Sequence, residues 1–102
     1  MARYAPIHPG EILKTEFLDE LGITPYALAK NAGIDKGNLS RMINGKSAIT
    51  ADTALRLAKF FGTSAESWMN LQSRYDLEIA KDHGLGRIER EVRPYDSMMD
   101  NA

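Results

Sequence analysis

The residues with the clearest chemistry lie together in one short stretch, DKGNLSRMINGKS, which runs from Asp35 to Ser47. Its polar side chains are cations, amides and hydroxyls, and no carboxylate follows Asp35. Arginine, lysine and asparagine are the side chains that pair with guanine or adenine edges and with phosphate. A helix face that is merely solvated normally mixes both signs of charge. The stretch therefore predicts a surface that binds a polyanion; the alternative is a polar face that lacks acids by chance.

The net charge of −1 conceals a segregated distribution of charge. Residues 24–63 carry six lysines and arginines against two aspartates, a net +4, whereas residues 1–23 are net −2 and residues 64–102 are net −3. A basic module between acidic flanks can bind one polyanion without making the whole molecule bind every polyanion. The acidic residues of the first segment lack a cleft-forming partner for acid/base catalysis. We interpret them as a solvated face or as a surface that meets a basic protein.

Composition narrows the class of protein further. A chain of 102 residues with 43% hydrophobic and 26% charged residues predicts one folded domain. There is no cysteine, and His8 and His83 are too few to hold zinc, so we expect no metal, no cofactor and no enzyme. No stretch is apolar enough for a signal peptide or a membrane span, which favours a cytoplasmic protein without membrane contact.

Helix caps and apolar periodicity predict five helices that position this stretch. Pro9 and Gly10 lead into the first predicted helix, EILKTEFLDELG, which Gly22 ends. The predicted N-caps of the other four helices are Thr24, Asp35, Thr50 and Ser64. The first helix is expected to bury Ile12, Leu13, Phe17, Leu18 and Leu21 on one face. The fifth is expected to weaken past Lys81, with Trp68 as a core or interface anchor rather than a platform for stacked bases.

The second and third helices have the spacing of a helix-turn-helix. Ala29 is small enough to let the next helix approach steeply, and Gly33 can take the left-handed conformation that the turn needs. The third helix keeps an apolar stripe, Leu39, Met42 and Ile43, on one side. That stripe turns the polar side of the helix outward, as a helix that enters the DNA major groove requires.

The C-terminal residues are harder to assign. RIEREVR, from Arg87 to Arg93, could be a short strand or a continued helix, and Gly84, Gly86 and Pro94 favour the strand. A lone strand has no hydrogen-bond partner in a helical chain, so its partner would be the same strand of a second copy. Residues 96–102 are expected to form a frayed tail.

Three motifs between Ile7 and Lys81 carry a family resemblance: HPGEIL, LSRMINGKSAIT and FFGTSAESWMNLQ. With them the sequence resembles the HigA (VapI-like) antitoxins of type II toxin–antitoxin systems, which are small members of the Xre helix-turn-helix family. The resemblance implies an all-α, five-helix, lambda-repressor-like DNA-binding domain at residues 1–82, with the helix-turn-helix at residues 24–44. Residues 83–102 would be a C-terminal extension with a possible dimerisation strand.

The resemblance also implies partners and a function. We expect a homodimer that binds palindromic double-stranded operator DNA, represses its own operon and neutralises a HigB toxin, a RelE-like mRNA endonuclease. The alternative is an orphan Xre-type repressor that has no toxin. The nature of the adjacent reading frame would separate the two.

Three groups of residues match DNA-contacting positions of the family. The base-reading positions are Lys36, Gly37 and Arg41, with Asn38 and Ser40 beside them. The phosphate-clamping positions at the start of the second helix are Thr24 and Tyr26; Pro25 between them lacks the backbone donor often used there. The positions that grip the DNA backbone beyond the third helix are Asn44, Lys46 and Ser47.

Overall fold

The protein is helical throughout the part of the chain that the computed structural model describes, residues 5–100 for the backbone and 5–98 for the side chains. Residues 101–102 of the expected tail lie outside this range. The helices are α1 (Pro9–Ile12, continued by a π-helix over Leu13–Asp19), α2 (Pro25–Ala32), α3 (Lys36–Ile43), α4 (Ala51–Phe61), α5 (Ala65–Glu91) and the short α6 (Tyr95–Asp100). The all-α fold class and the five predicted helices are confirmed.

Four of the five helices begin where the sequence predicts, because each predicted N-cap side chain accepts a backbone hydrogen bond. The first begins at Pro9, two residues before the predicted Glu11. The hydroxyl of Thr24 accepts from the amide of Ala27 at 3.1 Å, and that of Ser64 accepts from Ser67 at 3.0 Å. Thr50 accepts from the amide of Thr53 at 3.3 Å. These caps satisfy amide groups that the first turn of a helix leaves without a partner.

The first helix differs from the prediction after its first turn. Leu13 and Leu18 are both fully buried, because the i to i+5 spacing of the π-helix brings them to one side. The burial predicted for Leu21 is wrong, since Leu21 is 59% exposed. Two hydrogen bonds at the helix end, from Gly22 to the carbonyl of Asp19 and from Ile23 to that of Leu18, form a Schellman turn. The turn packs Ile23 against the core in place of Leu21.

The hydrophobic core joins all five predicted helices. The large side chains buried in it are Leu13, Leu18, Leu28, Leu39, Met42, Ile49, Leu57 and Trp68. The prediction of Trp68 as a core anchor is confirmed: the side chain is 1% exposed, and its indole N–H donates to the hydroxyl of Thr63 at 2.8 Å. The rings of Phe17 and Phe61 lie beside it. Because these contacts surround the indole, it is not available to stack on bases.

The strand that the sequence favours near the C-terminus does not form, and α5 instead continues through it to Glu91 as one helix of 27 residues. An ion pair one turn apart, Arg87 to Glu91 at 3.1 Å, supports the helical conformation. Two interior glycines each cost about 1 kcal/mol, which is less than leaving a strand without a hydrogen-bond partner. Val92 has an extended backbone, and α5 ends before Pro94, which cannot continue a helix.

The helical C-terminus changes two further predictions. The prediction of a frayed tail is wrong for residues 96–100, which belong to α6. The domain boundary predicted at residue 82 falls inside α5 and stays a prediction. Within the described residues, no helix is both long and apolar enough to cross a membrane.

The start of α1 lies directly against the end of α3. Gly10 is buried, and a Cβ added to it would collide with the main-chain carbonyl of Met42. Backbone thus meets backbone at this crossing, which only a residue without a side chain permits. The contact holds the last turn of α3 against the N-terminus of α1.

Substituting Gly10 by alanine should separate this contact from the general effect of glycine in helices. Gly10→Ala forces backbone apart and should lower the free energy of unfolding by about 1–3 kcal/mol. Gly86→Ala is the matched control, because a Cβ there meets only the guanidinium of Arg90 at 3.5 Å. It should raise stability by roughly 0.5–1 kcal/mol. Urea unfolding followed by circular dichroism measures both; equal effects of the two changes would contradict the close contact.

Candidate nucleic-acid interface

Helices α2 and α3 form the predicted helix-turn-helix. Gly33 ends α2 with φ +68°, in the left-handed region that glycine adopts without strain. The amide of Ile34 then donates to the carbonyl of Ala29 at 3.0 Å, which closes the turn. Ala29 is 4% exposed where the two helices meet. The small side chain and the glycine therefore have the roles that their spacing predicts.

One side of α3 is anchored in the core and the other faces solvent. Leu39 and Met42 are buried, and Ile43 is half-buried beside them. The exposed positions are Lys36, Gly37, Ser40, Arg41 and Asn44. Asn38 is less accessible than predicted, because it lies at the edge of the buried stripe and is half-buried. The structure thus brings five of the six predicted α3 positions onto one exposed face.

The N-terminal end of this face is flat. Asp35 caps α3 by accepting from the amide of Asn38 at 2.9 Å. A Cβ added to Gly37 would lie 3.3 Å from a carboxylate oxygen of Asp35 and 3.5 Å from a guanidinium nitrogen of Arg41. The Arg41 side chain therefore extends back along the helix over Gly37. The carboxylate of Asp35 is engaged in the cap, so the face beyond it stays cationic.

Tyr26 and Lys36 connect the two helices of the motif. The ammonium group of Lys36 lies 4.5 Å from the centre of the Tyr26 ring, a cation–π distance. Behind this pair a groove of about 350 Å³ runs between α2 and α3. Its lining residues are Pro25, Tyr26, Ala29, Lys36, Leu39, Ser40, Ile43 and Asn44. The predicted clamp at the start of α2 and the predicted reading face of α3 thus form one continuous surface, with the Thr24 cap at its edge.

The loop of residues 44–50, which follows α3, is held close to it. The side-chain amide of Asn44 donates to the carbonyl of Ser40 at 2.9 Å, so it is turned back onto its own helix. The main-chain amide of Lys46 donates to the carbonyl of Arg41 at 2.8 Å. The exposed side-chain ammonium group of Lys46 is therefore the donor that this residue can offer to DNA. Gly45, with φ +74°, makes this turn possible.

Ser47 is oriented differently from its predicted role. Its hydroxyl is buried and has no hydrogen-bond partner among the residues that the structure describes. In this conformation the hydroxyl cannot reach a phosphate, so a phosphate contact by Ser47 would have to come from its main chain. The phosphate role of Ser47 stays a prediction.

Sequence analysis missed the residues that support the loop. The amide of Ile49 donates to the side-chain oxygen of Gln72 at 2.8 Å, and Gln72 donates in turn to Asp76 at 2.9 Å. Gln72 is 5% exposed on α5. A polar residue beside the apolar positions Trp68 and Leu71 is the signal that could have identified it. Buried polar side chains need partners, and this one finds its partner in the loop.

His8, which lies at the entry of α1, is the second support, because its imidazole lies next to Gly45 of the loop. Its Nδ1 accepts from the amide of Gly10 at 2.9 Å, so it caps α1 as a neutral imidazole. Its ring lies against Tyr75 of α5, with ring centres 4.8 Å apart. Burial lowers the pKa of His8 below 6.5, and the charge of Asp76 and a hydrogen bond to the Ser47 backbone oppose this shift. Among the described residues, no cluster of three or more histidine, aspartate or glutamate side chains could hold a metal ion.

The fold and this face together define a helix-turn-helix protein. A short outer helix is fixed by a glycine turn to the helix before it, and it presents cations and amides to solvent. This is the arrangement in which the second helix of the motif enters a DNA groove.

Comparison with known proteins identifies the family. Residues 15–68 match the family model for the helix-turn-helix. Virulence-associated protein I of Dichelobacter nodosus is 45% identical over 75 residues, which cover 74% of this chain and 69% of that protein. Antitoxin HigA-1 of Vibrio cholerae is 43% identical over 72 residues, covering 71% and 68%. The chain belongs to the Xre-type helix-turn-helix family, in the group of the HigA antitoxins.

A solved structure shows the same likeness over most of the chain. Pseudomonas aeruginosa antitoxin HigA, solved with the higBA promoter, is 44% identical to this chain and superimposes with a TM-score of 0.84. The match covers 88% of this chain and 98% of that one. The family is one of DNA-binding regulators and antitoxins, not of enzymes.

Proposed function

We propose that this protein is a cytoplasmic antitoxin that represses its own operon by binding operator DNA as a homodimer and that neutralises a HigB-like mRNA endonuclease. The observation that carries the DNA-binding part is the exposed face of α3, where cations and amides stand without a free carboxylate. The relatives' names and the promoter complex of Pseudomonas aeruginosa HigA support the same function.

This surface would make two kinds of DNA contact, to base edges and to phosphates, and α3 carries the residues suited to base edges. Arg41 and Lys36 are long cations on the exposed face of α3, and they are suited to guanine edges or to phosphates at the rim of the groove. Ser40 and Asn38 lie beside them with smaller polar groups. The bare backbone at Gly37 lets α3 approach the bases closely. Base preference would therefore be concentrated at Arg41 and Lys36.

Contacts outside α3 would fix the orientation of the protein on the duplex. Lys46 extends from the loop, and Tyr26 and Thr24 lie at the start of α2. These residues flank α3 on its two sides, as phosphate contacts that position a recognition helix must. Such contacts raise affinity for any sequence and carry little base preference.

The homodimer would form through the C-terminal half of α5. Leu85 and Ile88 of α5, and Val92 directly after its end, are 42%, 41% and 59% exposed and follow one another at the three- and four-residue spacing of a helix–helix seam. No described residue of the same chain covers them. A second copy of this helix would bury the stripe, and a dimer would place two α3 helices in major grooves roughly one helical turn, about 34 Å, apart.

The antitoxin role rests on the relatives and on charge. The segments on either side of the basic module are net −2 and net −3. An acidic surface suits a toxin that is cationic because it acts on the ribosome and its mRNA. The alternative, an orphan repressor, keeps the DNA surface and lacks this partner.

Arg41→Ala tests the DNA-reading role. Loss of the guanidinium should weaken binding to a duplex from the region upstream of the protein's own gene by about 1–3 kcal/mol, with a smaller effect on a random duplex of equal length. Fluorescence anisotropy at one fixed salt concentration measures both. Lys14→Ala is the matched control, since Lys14 is on α1 and pairs with Asp19 at 3.1 Å. An equal loss on both duplexes would make Arg41 a phosphate contact, and a wild-type protein that binds neither would refute DNA binding.

Ile88→Asp tests the dimer seam. A charge in the stripe should prevent its burial, so sedimentation equilibrium should shift from twice the 11.4 kDa chain mass toward the chain mass itself. Leu55→Asp is the control, because Leu55 is 63% exposed on α4, away from the stripe. If both variants sediment like the wild type, the dimer uses another surface or does not form.

Co-expression with the adjacent reading frame tests the antitoxin role. The neighbouring gene should encode a small basic protein that arrests growth when expressed alone and co-purifies with this chain. Growth should recover when both are produced. A neighbour of another kind, or one that does not co-purify, would leave an orphan repressor.

A further inference from the structure

The guanidinium of Arg56 joins two helices. Its Nε donates to Oδ2 of Asp52, one turn earlier on α4, at 2.8 Å. Its Nη1 donates to the main-chain carbonyl of Ala32, the last residue of α2, at 3.3 Å. The ion pairs of Lys14 and Arg87, in contrast, join residues within one helix. Arg56 therefore ties α4 to the end of α2, where the helix-turn-helix makes its turn.

The same guanidinium occupies the space beside Gly33. A Cβ added to Gly33 would lie 2.8 Å from Nη1 of Arg56, closer than non-bonded atoms approach each other. Gly62 is a useful comparison, because it ends α4 with φ +73° and a Cβ there would meet nothing within 4 Å. The left-handed conformation favours glycine at both positions. Of the two, Gly33 has a second role, since it leaves room for the guanidinium over the turn.

The end of α2 is a site that favours a cation. The last carbonyls of a helix have no partner within the helix, and they give its C-terminus a partial negative charge. Nη1 of Arg56 satisfies the carbonyl of Ala32 and brings a positive charge to this end. A guanidinium can reach Asp52 and Ala32 at once because its N–H groups point in fixed, different directions, whereas the ammonium group of lysine has a single nitrogen.

Helix α4 provides a rigid base for this bridge. Thr53, Ala54 and Leu57 on its inner side are buried in the core. The side chains of Arg56 and Asp52 on its outer side are 45% and 75% exposed. Because an ion pair this exposed adds little to stability, the main consequence of the bridge is geometric. It holds the end of α2, and the turn from which α3 begins, at a set position on α4.

We propose that Arg56 is a positioning residue for operator binding: held by Asp52, it bridges to the carbonyl of Ala32 across Gly33 and fixes the turn that orients α3. This inference rests on the proposed DNA-binding function. It adds a residue on α4 that acts through the main chain of the turn and does not itself contact DNA. Loss of Asp52 should then have the same effect as loss of Arg56, although the two side chains have opposite charges.

Substitution of both partners separates this role from a phosphate contact. Arg56→Ala should weaken binding to the duplex from upstream of the gene about two- to fivefold, the worth of a cation at a helix C-terminus. Arg56→Lys, which keeps the charge, should restore only part of the affinity. Asp52→Ala should also weaken binding, and the double variant should bind no more weakly than Arg56→Ala alone.

Fluorescence anisotropy at one fixed salt concentration measures these affinities. Lys59→Ala is the matched control, because it removes an exposed cation from the same helix and should cost less affinity than Arg56→Ala. If Arg56 contacted phosphate, Arg56→Lys would bind like the wild type, and Asp52→Ala would bind as tightly or more tightly because it removes a negative charge. Either result would overturn the proposal.

A measurement without DNA keeps this inference separate from the proposed function. Thermal unfolding followed by circular dichroism should show that Gly33→Ala lowers the Tm by about 2–6 °C more in the wild type than in Arg56→Ala, where no guanidinium is displaced. Gly62→Ala should lower the Tm equally in both backgrounds. If the wild type binds no duplex, the proposed function fails, and this comparison still decides whether Arg56 holds the turn. Equal effects of Gly33→Ala in the two backgrounds would overturn the inference.

Discussion

Helix α3, which carries the candidate base contacts, has eight residues, about two turns, and is too short to be stable in water on its own. Its orientation therefore has to come from its neighbours. The turn at Gly33 fixes its start relative to α2, and the stripe of Leu39 and Met42 fixes its rotation about its own axis. The backbone contact with Gly10 and the loop held by His8 and Gln72 fix its end. The positions of the candidate DNA contacts on α3 and in the loop after it depend on these constraints.

The same constraints explain which parts of the fold could be predicted from the sequence. A helix cap is a contact between residues two or three positions apart, so Thr24, Asp35, Thr50 and Ser64 mark their helix starts without knowledge of the fold. A glycine at a helix end is equally local, as Gly33 and Gly45 demonstrate. The resemblance to a known family supplied the DNA-contacting positions, and the structure exposes most of them on one face.

What could not be predicted depends on partners distant in sequence. The π-helix over Leu13–Asp19 and the burial of Ile23 in place of Leu21 are set by packing against the core. The burial of the Ser47 hydroxyl depends on the folded loop. That loop is supported by His8 and Gln72, which lie more than twenty positions away in the sequence from the loop residues they contact. Gly84 and Gly86 suggest locally that the helix should stop, but α5 continues through both of them. An exposed helix supported by ion pairs tolerates two glycines.

The hydrogen bond from the amide of Lys46 to the carbonyl of Arg41 joins the two kinds of contact proposed for this surface. With it in place, the backbone positions from which Arg41 and Lys46 would reach a base edge and a phosphate are fixed relative to each other. A duplex whose groove has another width must deform to satisfy both. The energy of that deformation depends on base steps that the protein does not touch. Part of the sequence preference would then reside in the stiffness of the DNA rather than in its hydrogen-bonding edges.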